Sequence, residues 1–352
     1  MSSALHLACD IAKEKGLPLV SKLTTDDLKW SLASGSATET VTFYIHLREG
    51  GFLSVQLAHS NIGLSPTIQT SARYVKGDIH KFESANRSSR SFKLSDDKLS
   101  VNLDGMSIQH GKNREMVVDL ALKSISVHFQ FVPVDCGYKI GEGKTFFNKI
   151  NSNNFICHKF YPSGKVTGTV IFDNKEEELI GEGIFIHALL GLKPHEVASK
   201  CNLISFENEN ASLSMLQFET PRTYGCTDVT QGAFVLSDEL VAVTVDNTSR
   251  FVTTKLDPET KYEVPTEIKY TWLGETLQKE KFCAEMTVKS QFLIAKIDVL
   301  SELPYLLRKV IQTLFTKPYV YQYYDDAHVE VVIDEKKLVF NGKAFYECSF
   351  LN

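Results

Sequence analysis

Long apolar runs, clustered positive charge and paired cysteines are all missing from this 352-residue chain. No segment reaches the roughly 20 apolar residues that a membrane-crossing helix needs. The opening MSSALHLACDIAKEKG carries neither the basic start nor the apolar stretch of a secretory leader. A cytoplasmic protein is therefore expected, with the sequons at Asn86, Asn210 and Asn247 unmodified. A formal net charge of −5 without a local run of Lys and Arg offers nucleic acid no basic footprint, so no nucleic-acid partner is expected.

The seven cysteines stand singly, an odd number with no C-x-x-C, which suits reduced thiols and argues against a disulfide frame or structural zinc. Ten histidines include no H-E-x-x-H and no H-x-H, and no metal is expected. GYKIGEGKT resembles a phosphate loop, but five residues separate Gly137 from Gly143 where the motif requires four, and no strand-then-helix context surrounds it. The run Glu176-Glu177-Glu178 reads as a solvated loop tip. No cofactor follows from the sequence.

What the chain does have is short strands. Val41, Phe43, Ile45 and Leu47 alternate with polar or smaller positions, and Glu49-Gly50-Gly51 turns the chain back into Leu53, Val55 and Leu57. Asp104-Gly105 is a hairpin turn between Val101/Leu103 and Met106/Ile108. Further on, Val118, Leu120 and Leu122 give way to Ile125, Val127, Phe129 and Phe131, and this parity switch at Lys123-Ser124 predicts a bulge or bend. Pro133 to Ser163 lacks a sustained period, and a second strand series follows. The expected fold class is all-β and mainly antiparallel, two barrels of about eight to ten strands each, since closure removes exposed strand edges.

Helices are few. Leu303, Leu306, Leu307, Val310, Ile311, Leu314 and Phe315 keep helical spacing and predict one amphipathic helix near 303–316, with Arg308, Lys309 and Lys317 on its polar side. A shorter helix is expected after Pro194, and the N-terminal segment has a small apolar side at Ala4, Ala8, Ile11 and Ala12. The predicted organisation is an N-terminal helical segment (1–27), a first barrel (28–162) and a second barrel (163–352).

The candidate chemistry centres on SVQLAHSNIGL. His59 is the next position on the apolar face after Leu57. Adjacent strand residues point to opposite faces, so His59 and Ser60 cannot serve as base and nucleophile, and no catalytic residue is assigned. A core histidine held by hydrogen bonds and a ligand contact both remain open for His59.

Several motifs together resemble the fungal survival-factor family: ETVTFY (39–44) with VQLAHSNIGL, then GYKIGEGKTFF, HKFYP (158–162), ALLGLKPHEVASKCNLISF (188–206), FETPRTY (218–224), and IDVLSELPYLLRKVI with TKPYVYQY. Tyr161 and Ser163 stand where the family pattern carries Trp and Arg, as in a divergent paralogue. The resemblance implies a double lipocalin-like, non-enzymatic monomer that carries a ceramide-like sphingolipid through the cytoplasm, is linked to oxidative-stress survival, and makes transient peripheral contact with Golgi or endoplasmic reticulum membranes. A barrel of this size holds one small ligand, with a few polar groups fixing its head. In that frame Gln56, His59, Ser60, Asn61 and Tyr224 are the candidate head-group contacts. An enzyme resembling the carotenoid hydratases is the alternative, for which an acid inside the barrel is required; Asp119, on MVVDLAL, is its candidate. A scaffold with filled barrels is the third reading.

Overall fold

A computed structural model describes residues 4–32, 35–61, 65–299 and 318–351. It divides into two compact units, Ala4–Lys193 and the residues from Pro194 onward.

The first unit begins with β1 (Leu5–His6), α1 (Ala8–Glu14) and β2 (Val20–Lys22). Its sheet is built from β3 (Thr38–Leu47), β4 (Phe52–Ser60), β5 (Thr67–Lys76), β6 (Ile79–Arg87), β7 (Lys93–Leu94), β8 (Val101–Leu103), β9 (Met106–His110), β10 (Met116–Ala121) and β11 (Ile125–Pro133). It is completed by β12 (Tyr138–Ile140), β13 (Lys144–Phe147), β14 (Phe155–Phe172) and β15 (Lys175–Leu190). All pairings are antiparallel, in the spatial order β6-β5-β4-β3-β15-β14-β11-β10-β9-β8-β7. The sheet curls until β6 returns to the β10–β11 turn. There Arg87 Nη2 donates to the Ala121 carbonyl at 2.7 Å, and Glu83 accepts from the amides of Lys123 and Ser124 at 3.0 and 2.7 Å.

Period-two alternation fills the inside of this curl. Val41, Phe43 and Ile45 on β3, Val55 and Leu57 on β4, and Phe129 and Phe131 on β11 share one core cluster. Phe43 contacts the rings of Phe129, Phe131 and Phe185 with centroids 5.1–5.5 Å apart. The Asp104-Gly105 turn is realised with Gly105 at φ +72°, a conformation that side chains rarely adopt, and a Cβ there would lie 3.0 Å from the Ala121 carbonyl oxygen, so glycine is favoured.

The second unit opens with α2 (Pro194–Val197), the short helix expected after Pro194. Its strands are β16 (Lys200–Glu207), β17 (Ala211–Glu219), β18 (Asp228–Leu236), β19 (Glu239–Thr244), β20 (Asp246–Leu256), β21 (Glu263–Glu275), β22 (Lys281–Lys289), β23 (Leu293–Asp298), β24 (Tyr319–Ile333) and β25 (Lys336–Phe350). They follow the order β19-β18-β17-β16-β25-β24-β22-β21-β20, with β23 on β24. Trp272 on β21 donates its indole N–H to the Ser214 carbonyl on β17 at 2.9 Å, tying the curl together across the core.

Four expectations change. The junction foreseen at 162/163 falls inside β14: Pro162 and Ser163 occupy a bulge between Tyr161 and Gly164, where proline interrupts no ladder bond, and the strand continues on both sides. The chain divides after Lys193 instead. The parity switch at Lys123-Ser124 is a hairpin turn, with Ala121 opposite Ser126, rather than a bulge. The N-terminal helical segment is mixed, one helix accompanied by β1, β2 and a 3-10 turn at Thr25–Leu28. Glu177 is no free loop tip, since it accepts from Tyr74 Oη at 2.6 Å. The amphipathic segment 303–316 lies outside the described residues.

Candidate functional site

His59 faces the interior, as its parity requires, and is 8% exposed. Its register partner on β3 is Glu39, which is 2% exposed and shares the inner face with Val41 and Phe43. An isolated carboxylate in such a wall would cost several kcal/mol, so its partners decide whether it can be there at all.

The partners come from two directions. Residues 23–32 deliver Leu23, Leu28 and Trp30 into the core cluster. The segment is shaped by a capping box in which Asp27 Oδ2 accepts from both the amide and the hydroxyl of Thr24, and by an ion pair between Lys139 and Asp27 at 2.5 Å. Just past Trp30, the amides of Ser31 and Leu32 donate to Glu39 at 3.0 and 2.8 Å, and the Ser31 hydroxyl adds a third donor at 3.1 Å. From β15, His187 Nε2 lies 2.8 Å from Glu39 Oε1, with the imidazole 1% exposed and 5.7 Å from the Trp30 ring.

Burial pushes the Glu39 carboxyl upward, but His187 and the Ser31 and Leu32 amides overcome it and hold the group below the usual range. Burial likewise holds His187 below its ordinary value, against the pull of Glu39. The pair is therefore a carboxylate and a neutral imidazole. Backbone amides only donate, so the proton between the two side chains belongs to Nε2, and Nδ1 carries a lone pair. That Nδ1 is buried and has no hydrogen-bond partner.

Two more imidazoles lie near this pair. His59 is lowered by burial and drawn back by the Glu39 charge, and its ring sits 5.2 Å from Phe92. His110, at the inner end of β9, is pushed down to about 4, chiefly by burial. Among the described residues no three His, Cys, Asp or Glu side chains form a metal-ligand group. The arrangement is a set of neutral hydrogen-bonding rings around one fixed anion, at one end of an apolar wall.

Gln56, Ser60 and Tyr224 do not join His59. Gln56 and Ser60 point to the opposite face, where Gln56 Nε2 donates to Thr42 at 2.9 Å and Ser60 Oγ meets Thr38 Oγ1 at 3.0 Å. Asn61 follows β4, its amide donating to the Ala37 carbonyl at 2.8 Å. Tyr224 belongs to the other compact unit, in a 3-10 turn whose carbonyl accepts from Thr227 Oγ1 at 3.0 Å. Asp119 is not an interior acid: Val118 and Leu120 point inward, so it points out, with its side chain 55% exposed and 2.6 Å from His128 Nδ1. Together with Ser107 and Thr169 these two line an outer-wall cavity of about 500 Å³.

Sequence reasoning passed over Glu39, His110 and His187. Glu39 was readable as the acid in register with Val41-Phe43-Ile45, and His187 as the lone polar residue of GIFIHALL; their convergence across 148 positions was not.

Comparison with known proteins places this geometry in context. The ceramide-binding protein svf1 of Schizosaccharomyces pombe is 30% identical, covering 97% of this chain and 92% of its own. The ceramide-binding protein SVF1 of Yarrowia lipolytica is 29% identical over 94% and 90%. Among solved structures, CghA with Sch210972 gives a TM-score of 0.60 at 10% identity over 95% of this chain and 99% of that one. Kievitone hydratase from Nectria haematococca gives 0.54 at 12% identity over 94% and 93%. These likenesses speak for the fold alone, two lipocalin-like curled sheets. The Svf1 family model matches residues 2–352, and the chain belongs to the Svf1 family.

Proposed function

We propose that this protein binds a ceramide-like sphingolipid and carries it between membranes, without transforming it. The observation that carries the reading is the polar cluster of buried Glu39, His187 and His59, with the half-buried His110, at one end of an apolar wall, in a chain whose relatives are named ceramide-binding proteins. A lipid of this class needs an apolar environment for its chains, about 0.8 kcal/mol per CH₂ shielded from water, and a small number of hydrogen-bonding groups for its head. The wall around Phe43 is packed with aromatic rings, so the head group's place in this reading is the cluster end, with His59 as a direct contact.

The non-enzymatic part rests on the state of the interior acid. Glu39 is held ionised by three donors and a histidine, which suits a fixed anchor rather than a proton donor. Among the described residues no helix is long and apolar enough to cross a membrane. Membrane contact is accordingly peripheral and transient in this proposal, and the carrier is a cytoplasmic monomer linked to survival of oxidative stress.

The test is native extraction of the purified full-length protein followed by lipid mass spectrometry. Stoichiometric sphingolipid is the expected result. A chemically altered isoprenoid would turn the reading toward an enzyme, and absence of any lipid after loading from ceramide-containing vesicles would sink it.

A further inference from the structure

The carboxylate fixes more than the position of the histidine; it fixes which ring nitrogen is left over. Oε1 and Oε2 of Glu39 accept from two amides, which can only donate, and from the Ser31 hydroxyl; a carboxylate so supplied leaves the proton of its remaining contact on His187 Nε2, at 2.8 Å. A neutral imidazole that donates from Nε2 presents only a lone pair at Nδ1. This atom is fully buried on the inner face of the sheet and has no partner. Its cross-strand neighbours do not satisfy it: Val41 is apolar, and the Lys159 ammonium is engaged with the Asp27 carbonyl. An unmet acceptor in such a wall costs free energy that only an incoming donor recovers.

We propose that His187 Nδ1 is the specificity determinant of the site, accepting a hydrogen bond from an N–H or O–H of the lipid head group. The assignment rests on the ligand-binding reading above and sharpens it. The ligand class is one with a neutral donor, such as an amide or hydroxyl of a sphingoid lipid. Hydrocarbon isoprenoids, which have no donor, and ionised fatty acids, which offer only acceptors, are selected against. The Glu39 carboxylate is the positioning residue: it never touches the ligand and acts by setting the tautomer.

Wild-type protein is loaded in competition from vesicles with ceramide and three analogues, each lacking one donor by N-methylation, 1-O-methylation or 3-O-methylation. One of the three is expected to bind about tenfold more weakly than ceramide, the size of one hydrogen bond to a buried acceptor. In His187→Phe the same analogue binds as well as ceramide does. Equal binding of all four lipids to the wild type would overturn the assignment while leaving ceramide binding intact. So would an unchanged penalty in His187→Phe, which would mark the methyl group as a steric obstacle. If ceramide itself fails to bind, the ligand reading falls and this inference with it. Should His187→Phe not fold, ¹⁵N NMR of wild-type imidazoles decides: an unprotonated His187 Nδ1 whose resonance moves when ceramide is added is the expected outcome, and a protonated one overturns it.

Discussion

Glu39 and His187, 148 residues apart in sequence, meet at 2.8 Å with both side chains almost wholly removed from water. Removing the acid strands a buried imidazole N–H and two amides. Glu39→Ala is expected to lose about 3 kcal/mol of stability, within the range for breaking a buried pair from one side. Urea unfolding checks this, and a loss under 1 kcal/mol would show the cluster to be solvated after all.

Acid should weaken the first unit's fold well before its carboxylates protonate. His46, His110 and His158 are held neutral by burial, with pKa values pushed down to about 3, 4 and 4. Below about pH 6.5 the unfolded chain takes up protons that the folded chain refuses, so stability falls with falling pH, by about 1.4 kcal/mol per unit for each histidine. Glu39, depressed in the fold, adds a loss in the same direction only below about 4.5. Unfolding free energies from denaturant curves at pH 7 and pH 5 are expected to differ by on the order of 5 kcal/mol; coincident curves would contradict the burial of these rings.

Closure of the first sheet depends on side chains rather than a ladder. Arg87→Ala removes the bond to the Ala121 carbonyl and is expected to cost about 1–2 kcal/mol. Hydrogen exchange should locate the effect on β6, with faster exchange there than elsewhere in the unit. Uniform protection would mean that the edge is held by something other than this latch.

In the second unit a Cβ at Gly232 would lie 2.6 Å from Trp272 Cδ1. Gly232→Ala should therefore displace the indole, weaken its bond to Ser214 and destabilise by about 1–3 kcal/mol. Only Trp30 and Trp272 contribute tryptophan emission, so a Trp30→Phe background isolates the shift.

The outer-wall acid supplies a control for ligand binding. Asp119→Asn should leave lipid binding within twofold of the wild type, because Asp119 faces away from the interior, while Glu39→Gln should change lipid preference. Equal effects of the two substitutions would mean that the ligand occupies the outer groove.

Local grammar was legible in this sequence. The Asp104-Gly105 turn, the inward parity of His59 and the short helix after Pro194 are all set by neighbours within a few positions. The switch at Lys123-Ser124 was not, because a two-face change looks the same whether the strand bulges or ends. Pro162 misled for a related reason: it suggests a boundary, yet a bulge accommodates it inside an 18-residue strand. The family was recognisable from dispersed motifs, whereas the site was only half visible. His59 could be placed by parity, but its surroundings come from β3, β15 and residues 23–32, segments that only the closed sheet brings together.

The pairing of β3 with β15 sets a timetable for biosynthesis. Thr38 is opposite Leu190, so the early strand emerges from the ribosome long before the one it needs. Until about 190 residues have been made, the inner face of β3 has no neighbour on that side, and hairpins such as β3–β4 are all the nascent chain can form. Pairings of such long sequence separation close slowly and leave apolar strand edges exposed meanwhile. Newly made chains are thus a natural client for chaperones that hold unfinished sheets, and the Glu39 anchor, made at the start of translation, gains its imidazole donor only when the last strand of its unit arrives.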